Sequence, residues 1–207
     1  MTPISIIGTG KMSAAIADVA LRAGASVQIV KHSASSHLVK EHPQANYAVL
    51  GDDLTGELVV FAIPSGAYPS VLKHYRERLH GKVVIDISNS MDFSTYERPQ
   101  ALLSTSAALE LARQLPADVP VLKAFNVNLG DTLFTGTNGT TTTTVLFAGD
   151  DAEGKIALTQ LLEAAGLRAV DAGPLPRSRE LEAMGYLQIT LAASGKTQFE
   201  SGFTLLP

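Results

Sequence analysis

The chain has 207 residues, of which 45% are hydrophobic and 17% charged, a balance typical of a folded protein with one substantial core. Sixteen basic and twenty acidic residues give a formal charge of −4, which argues against a general affinity for nucleic acid or an anionic membrane. There is no cysteine, so disulfides, thiol chemistry and thiolate metal sites are excluded.

The first residues carry no basic stretch followed by an apolar run, so no secretory signal is expected there. No apolar segment approaches the roughly 20 residues that span a bilayer. These features predict a cytoplasmic protein.

Short apolar runs rich in β-branched residues recur along the chain and predict strands. Most of them do not alternate between apolar and polar residues, which is typical of strands covered on both faces. The predicted strands are residues 4–7, 27–30, 58–63, 83–87, 121–125, 143–148 and 168–172.

Amphipathic stretches between these runs predict helices. Gly24 and Gly166 are placed to end two of them, and Asp150 or Asp151 is placed to cap another, with Glu153 positioned for a capping box. The predicted helices are residues 12–23, 68–79, 106–115, 152–165 and 178–193.

The alternation of strand and helix predicts an α/β fold of the doubly wound Rossmann type, with a mostly parallel sheet and helices on both faces. We expect one domain over residues 1–207, with a core over about 1–150 and a C-terminal strand–helix extension. The segment 34–57 gives no clear pattern.

A glycine-rich turn directly follows the first predicted strand and opens the first helix, reading Gly8-Thr9-Gly10-Lys11-Met12-Ser13. Phosphate binding needs a tight turn, a backbone free of side chains and helix N–H groups aimed at the anion. Ser13 replaces the third glycine of G-x-G-x-x-G, at a packing position where a small residue suffices. An ordinary turn would look similar in isolation, but this position in the chain favours dinucleotide binding.

The end of the second predicted strand reads Lys31-His32-Ser33. NAD-binding proteins usually place an acidic residue here to hold the ribose hydroxyls. A cation, an imidazole and a hydroxyl suit a 2′-phosphate instead, so the sequence favours NADP(H) over NAD(H). A solvated loop is the alternative, and lysine is a less geometric phosphate ligand than arginine.

Three later strand ends carry small residues and amides: Ala62-Ile63-Pro64, Ser88-Asn89 and Ala124-Phe125-Asn126. Open α/β sheets bind ligands at this edge, so we expect these residues to contact the nicotinamide side of the cofactor. Ordinary turn chemistry is the alternative for each of them taken singly.

Other polar residues have simpler interpretations. His74 and His80 flank an amphipathic helix, and His37 and His42 show no metal-ligand spacing. No metal site, no Ser/His/Asp arrangement and no pair of carboxylates is predicted. A last charged group is interpreted as solvated charges at a helix entry: Arg177, Arg179, Glu180 and Glu182.

Five segments, in order along nearly the whole chain, resemble the NADPH-dependent F420 reductase family, also described as coenzyme F420-dependent NADP oxidoreductases. The nucleotide-binding domain of the STEAP ferric reductases is a relative of that family. The segments are Gly8-Thr9-Gly10-Lys11-Met12, Ala62-Ile63-Pro64, Lys123-Ala124-Phe125-Asn126, Ala172-Gly173-Pro174-Leu175 and Ser178-Arg179-Glu180-Leu181-Glu182.

The resemblance implies a pyrophosphate turn at residues 8–12, a 2′-phosphate site at His32-Ser33 beside Lys31, and a nicotinamide side at residues 62–64, 88–89 and 124–126. This chain lacks the arginine of the family's usual Ser-Arg pair, and has Asn89-Ser90 where many relatives have Asn-Pro. The family name alone therefore does not supply the substrate.

The resemblance predicts hydride transfer between NADPH and a planar acceptor, a deazaflavin or a flavin, with Asn126 as a possible positioning residue. Such a reaction needs little acid–base chemistry from the protein, and no catalytic lysine or histidine is evident. A reductase of a small carbonyl or imine compound and a non-enzymatic NADP(H)-sensing module remain alternatives. A homodimer through the C-terminal helix and residues 203–206 is a further hypothesis.

Overall fold

The computed structural model describes residues 1–89, 91–92, 94–97 and 104–205. Ser90, part of the predicted departure from the family pattern, and Leu206, part of the predicted dimer surface, lie outside the described residues.

Eight strands form one sheet in the order β10-β9-β6-β5-β4-β1-β2-β3. They are β1 (Ile4–Ile7), β2 (Val27–Lys31), β3 (Asn46–Val49), β4 (Leu58–Phe61), β5 (Val83–Asp86), β6 (Val121–Ala124), β9 (Thr144–Gly149) and β10 (Arg168–Asp171). All pairings are parallel except that of β6 with β9. The first six strands thus follow the 3-2-1-4-5-6 order of a dinucleotide-binding sheet.

Among the described residues, six helices accompany these strands: α1 (Lys11–Arg22), α2 (Tyr68–Tyr75), α3 (Ala107–Gln114), α4 (Gly130–Thr135), α5 (Ala152–Ala164) and α6 (Ser178–Ala193). Short 3₁₀ turns at Ser65–Ala67, Arg76–Arg78 and Leu175–Arg177 flank α2 and precede α6. A two-residue hairpin, β7 (Thr137–Asn138) and β8 (Thr141–Thr142), stands apart from the main sheet.

Alternate residues of the central strands enter two different cores, as the Rossmann prediction requires. In β4, Leu58 and Val60 pack with α1, α4 and α5, whereas Val59 and Phe61 pack with α2 and α3. Because both faces are covered, the strands show continuous apolar runs and no alternation. The predicted Rossmann-like fold, mostly parallel with helices on both faces, is confirmed.

Two local predictions need correction. The segment without a clear pattern contains β3, which pairs in parallel with β2 at the sheet edge and is partly exposed, so its apolar signal is weak. Asp151 caps α5 by accepting from the Gly154 amide, and because Gly154 occupies the third helical position, no capping box with Glu153 forms.

No helix among the described residues is long and apolar enough to span a membrane.

Candidate functional site

A cavity of about 490 Å³ opens at the carboxyl ends of β1, β4, β5 and β6. Parallel strands all present this end to the same edge of the sheet, which is why segments far apart in sequence meet here. The cavity is lined by these predicted site residues: Gly10, Lys11, Met12, Ala62, Ile63, Pro64, Ser88, Asn89 and Asn126.

The other predicted site residues lie beside the cavity or away from it. Gly8 and Thr9 precede the lining residues of the turn, and Ala124 is fully buried at the end of β6. Lys31 ends β2, His32 and Ser33 begin the turn after it, and none of the three lines the cavity.

Gly8 is required by the packing of the protein itself. Its φ of +133° belongs to glycine, and a Cβ there would lie 2.3 Å from the Ala62 carbonyl oxygen, so the turn touches the end of β4 directly. Ser13, at the position of the missing third glycine, is buried and donates from Oγ to the Gly8 carbonyl at 2.7 Å. The serine therefore closes the turn with a hydrogen bond.

Gly10 and Gly66 differ from every other glycine in the chain. Of the 17 glycines, the other fifteen either adopt a positive φ or would bring a Cβ within 3.0 Å of a neighbouring atom. Within the described part of the chain, these two have neither constraint, and both line the cavity. The protein's own packing gives no reason for glycine at either position, whereas a ligand that approaches the backbone closely would require it.

We call residues 8–13 and 62–66 the glycine wall of the cavity. Sequence reasoning missed Gly66, because it lies in a 3₁₀ turn after Pro64 and belongs to no glycine motif. Lys11, on the same wall, forms an exposed ion pair with Asp131 at 2.6 Å, which ties the start of α1 to α4.

The turn after β2 brings three serine hydroxyls together. Ser33 Oγ lies 3.2 Å from both Ser35 Oγ and Ser36 Oγ, and the Ser33 amide donates to Ser36 Oγ. Lys31 Nζ donates to the Ala34 carbonyl in the same loop. His32 is exposed. The arrangement offers hydroxyl donors and a cation at the position where the ribose of a dinucleotide is expected.

Two asparagines join the ends of β5 and β6. Asn89 Nδ2 donates to the Asn126 carbonyl at 2.7 Å, and Asn126 Nδ2 donates to Asn89 Oδ1 at 2.9 Å and to the Leu181 carbonyl at 2.8 Å. Phe125, just before, adopts a left-handed conformation with φ 61°, which is costly for an aromatic residue and marks where the chain turns out of β6. The pair is thus rigidly held.

Asn126 Oδ1 is buried and has no hydrogen-bond partner within the described protein. A buried acceptor without a donor is costly, so it suits a ligand that brings an N–H group, such as a carboxamide. The residues present therefore fit a nicotinamide dinucleotide in this cavity.

Beneath Ser88 and the asparagine pair lies a cluster that sequence reasoning missed, the buried ion network of Asp86, Lys123 and Glu182. Lys123 Nζ lies 2.7 Å from Asp86 Oδ2 and 2.8 Å from Glu182 Oε1, and it also donates to the Ser88 carbonyl. All three side chains are at most 1% exposed.

The interpretation of Glu182 as a solvated charge at a helix entry is wrong. Its Oε1 accepts from the Ala107 amide at the start of α3 at 2.9 Å, in addition to its contact with Lys123. Arg177, Arg179 and Glu180 are exposed, as predicted. The carboxylates were not recognised as a pair because they come from β5 and α6, about a hundred positions apart in the sequence.

Tyr68 completes the surroundings of the network by donating a hydrogen bond from its hydroxyl to Asp86 Oδ1. Burial, reinforced by the neighbouring Asp86 carboxylate, raises the pKa of Tyr68 well above its usual value. The phenol is therefore a neutral donor.

Segments after β5 supply a further, apolar and aromatic part of the cavity lining, which we call the outer cavity: Met91, Tyr96, Ile189 and Phe199. Tyr96 and Phe199 are 37% and 44% exposed. No sequence motif marks these residues.

The remaining histidines take no part in the cavity. His74 and His80 are exposed, whereas His42 is buried and contacts Asp18 Oδ1 at 2.8 Å. Within the described ranges, no group of three or more His, Asp or Glu side chains is arranged to hold a metal ion.

Comparison with known proteins agrees with the resemblance inferred from the sequence. A family model described as NADP oxidoreductase, coenzyme F420-dependent, matches residues 3–90. The F420-dependent NADP reductase of Methanocaldococcus jannaschii is 27% identical over 146 residues, which cover 69% of this chain and 65% of that protein. The predicted resemblance to the family is confirmed.

Two further similarities extend over more of the chain. The metalloreductase STEAP3 of Rattus norvegicus is 26% identical over 181 residues, 87% of this chain and 36% of that protein. This chain thus spans less than two thirds of the length of either curated relative. A solved structure from Arthrobacter sp. FB24, with a provisional name as an F420-dependent NADP reductase, has a TM-score of 0.84 and 23% identity, covers 100% of both chains, and shows the shared fold.

Proposed function

We propose that this chain, which resembles the coenzyme F420-dependent NADP oxidoreductases and matches their family model over residues 3–90, is an NADP(H)-dependent oxidoreductase. It transfers a hydride between NADPH and a planar acceptor such as a deazaflavin or a flavin. The observation that carries the proposal is the pair of glycines, Gly10 and Gly66, that the fold does not need and that both line one cavity.

In this proposal, different residues of the chain bind different parts of the cofactor. The turn at residues 8–13 and the first amides of α1 hold the pyrophosphate. Lys31, His32 and Ser33 hold the 2′-phosphate, with the hydroxyls of Ser35 and Ser36 beside them. Asn126 Oδ1 accepts from the carboxamide and so orients the ring. Bound NADPH supplies the hydride, and the protein supplies position and the exclusion of water.

The residues of the outer cavity favour a planar acceptor. Its lining includes two aromatic rings, Tyr96 and Phe199, and two apolar side chains, Met91 and Ile189. Such a surface stacks against a flat ring. Because Ile189 lies on α6 and Phe199 follows it, the proposal treats residues 1–207 as one functional domain.

The first experiment is calorimetric titration of the purified protein with NADPH and with NADH. We expect the affinity for NADPH to be severalfold higher, because the turn after β2 offers a cation and hydroxyls and no carboxylate. Equal affinities would remove the NADP preference. Absence of binding of both would remove the proposed function, and binding without NADPH consumption by any acceptor would favour a sensing module.

Two glycines at opposite ends of α1 provide a matched pair of variants. Gly10→Thr keeps a residue that caps helices about as well as glycine, so we expect normal stability and NADPH affinity reduced at least tenfold. Gly24→Ala places a side chain at φ +76° away from the cavity, so we expect a loss of about 1–2 kcal/mol in stability and unchanged affinity. The opposite pattern would contradict the role given to Gly10.

The second candidate is a reductase of small carbonyl or imine compounds, which needs a proton donor beside the acceptor. The observation that favours it is the Tyr96 phenol in the cavity lining. Tyr96→Phe separates the two functions. Turnover with a deazaflavin or flavin should stay within about threefold of the wild type, whereas reduction of an imine that depends on Tyr96 should fall by about a hundredfold or more.

A further inference from the structure

Three ionisable side chains that the proposed hydride transfer does not use lie directly behind the cavity. Asp86 is on β5, Lys123 is on β6 and Glu182 is on α6, and together they form the buried ion network. Ion pairs in the interior are seldom favourable for stability compared with apolar residues of similar size. Their presence beneath a ligand cavity therefore calls for a functional explanation.

Ser88 connects this network to the cavity. It belongs to the cavity lining, its amide donates to Asp86 Oδ1 at 3.0 Å, and its carbonyl accepts from Lys123 Nζ. A second connection runs through Asn126, whose Nδ2 donates to the carbonyl of Leu181, the residue before Glu182. The network thus contacts the lining residue Ser88 directly and is connected to Asn126, which we place beside the nicotinamide, through the backbone of α6.

The network holds one more negative charge than positive charge. Lys123 contributes one cation, and Asp86 and Glu182 contribute two carboxylates. Tyr68 adds no charge, because burial and the neighbouring Asp86 carboxylate raise its pKa. The Ala107 and Ala108 amides donate to Glu182 and compensate only part of the excess. Within the described part of the chain, the hydrogen bonds and ion pairs of the network reach no further charged side chain.

The charge of the nicotinamide ring changes in the proposed reaction. When NADPH gives a hydride to the deazaflavin or flavin, the C4–H bond breaks, the proton and both electrons pass to the acceptor, and the ring becomes a cation. A fixed negative charge in a water-poor interior stabilises that cation and leaves the neutral reduced ring unaffected.

We propose that Asp86, Lys123 and Glu182 set the relative affinity of the site for oxidised and reduced cofactor, through the single net negative charge they hold behind the cavity. The inference rests on the proposed function. These residues touch neither the acceptor nor the reacting atoms, so their role is electrostatic and positional. The network favours NADP⁺ over NADPH and thereby favours hydride donation by the protein.

The test measures the dissociation constants of NADP⁺ and NADPH for three proteins by calorimetry, without any acceptor. Glu182→Gln is nearly isosteric and brings the network to zero net charge, so the ratio Kd(NADP⁺)/Kd(NADPH) should rise by about fivefold to tenfold. The double variant Lys123→Met/Glu182→Gln removes one charge of each sign. It restores the net charge of the wild type, so its ratio should return to within about twofold of the wild-type value.

The ratio distinguishes the charge from a merely structural role, since loss of cavity shape weakens both forms together. An unchanged ratio in a folded Glu182→Gln protein that binds both forms overturns the inference and leaves the proposed function standing. A wild type that binds neither form overturns both. If circular dichroism shows that Glu182→Gln is unfolded, Asp86→Asn makes the same change of charge at the other carboxylate, and its ratio decides the question by the same criterion.

Discussion

The two sides of the cavity solve different physical problems. In the glycine wall (residues 8–13 and 62–66), Gly10 and Gly66 leave the cavity free of side chains, although the described residues around them would accept a Cβ. The opposite side lies over the buried ion network, where Lys123 forms hydrogen bonds with Asp86, the Ser88 carbonyl and Glu182. The first region is adapted to a ligand at little cost to folding, whereas in the second the fold and the site depend on the same bonds.

This difference predicts opposite responses to substitution. Changes at Gly10 and Gly66 should affect binding and spare stability, as expected above for Gly10→Thr. Changes in and around the ion network should affect stability first. The following variants examine that contrast in order of expected effect.

Lys123→Ala should have the largest effect, a loss of about 3–5 kcal/mol in the free energy of unfolding, because it leaves two buried carboxylates without their cation. Urea unfolding followed by circular dichroism measures it. Lys40→Ala is the matched control, since Lys40 also pairs with an aspartate, Asp18, but is 48% exposed. That pair should contribute less than about 1 kcal/mol. Similar losses in both variants would show that the network is energetically ordinary.

Gly185→Ala tests the packing of α6 against the two asparagines. A Cβ at this position would lie 2.3 Å from Asn89 Oδ1 and 2.7 Å from the Asn126 carbonyl, so the helix or the amide pair must move. We expect a loss of about 1–3 kcal/mol in stability together with weaker NADPH binding. Since alanine is otherwise the better helix former, an increase in stability would mean that α6 does not approach the cavity this closely.

The same contrast explains how far the sequence alone could lead. The glycine turn, the apolar strands and the amphipathic helices are local patterns. The structure contains them within one or two residues of the predicted bounds, except that the helix predicted over residues 68–79 ends at Tyr75. Asp86, Lys123 and Glu182 come from three separate elements, the Lys123 bonds spanning 37 and 59 positions. No hydrophobic periodicity in the sequence predicts that these three residues lie together. The Lys-Ala-Phe-Asn and Arg-Glu-Leu-Glu segments contained two of the three residues, but only as a family resemblance.

Gly66 and β3 were not predicted from the sequence for a related reason. Gly66 is recognisable only when the space around it is known, and β3 is a partly exposed edge strand with a weak apolar signal. The pattern within a segment indicates which of its residues are buried. Which residues of other segments lie next to it, and where space is left for a ligand, is known only from the fold.

Tyr68→Phe should cost about 1–2 kcal/mol at neutral pH, because it removes a donor from Asp86 while the Ser88 amide remains. The pKa of Tyr68 is raised in the folded protein, so its stabilising contribution is complete below the ordinary tyrosine pKa of about 10 and declines as pH rises above it. The difference in unfolding free energy between the wild type and the variant should therefore narrow from pH 8 to pH 11. A difference that stayed constant would mean that the phenol is not shielded as described.

Lys31→Ala should have the smallest effect on stability. Like Gly10→Thr, it changes a residue that we assign to ligand binding and not to the support of the fold. Lys31 is partly exposed, and the only described hydrogen bond of its side chain goes to the Ala34 carbonyl in the adjoining loop, so truncating the side chain should change stability by less than about 0.5 kcal/mol. A lysine near a phosphate acts as a screened point charge, so NADPH affinity should fall about threefold to tenfold while NADH affinity is unchanged. Titrations at low and high salt measure this, and the loss should shrink as salt rises. Equal losses for both dinucleotides would move the phosphate site away from Lys31 and leave the serine hydroxyls of this turn as its remaining ligands.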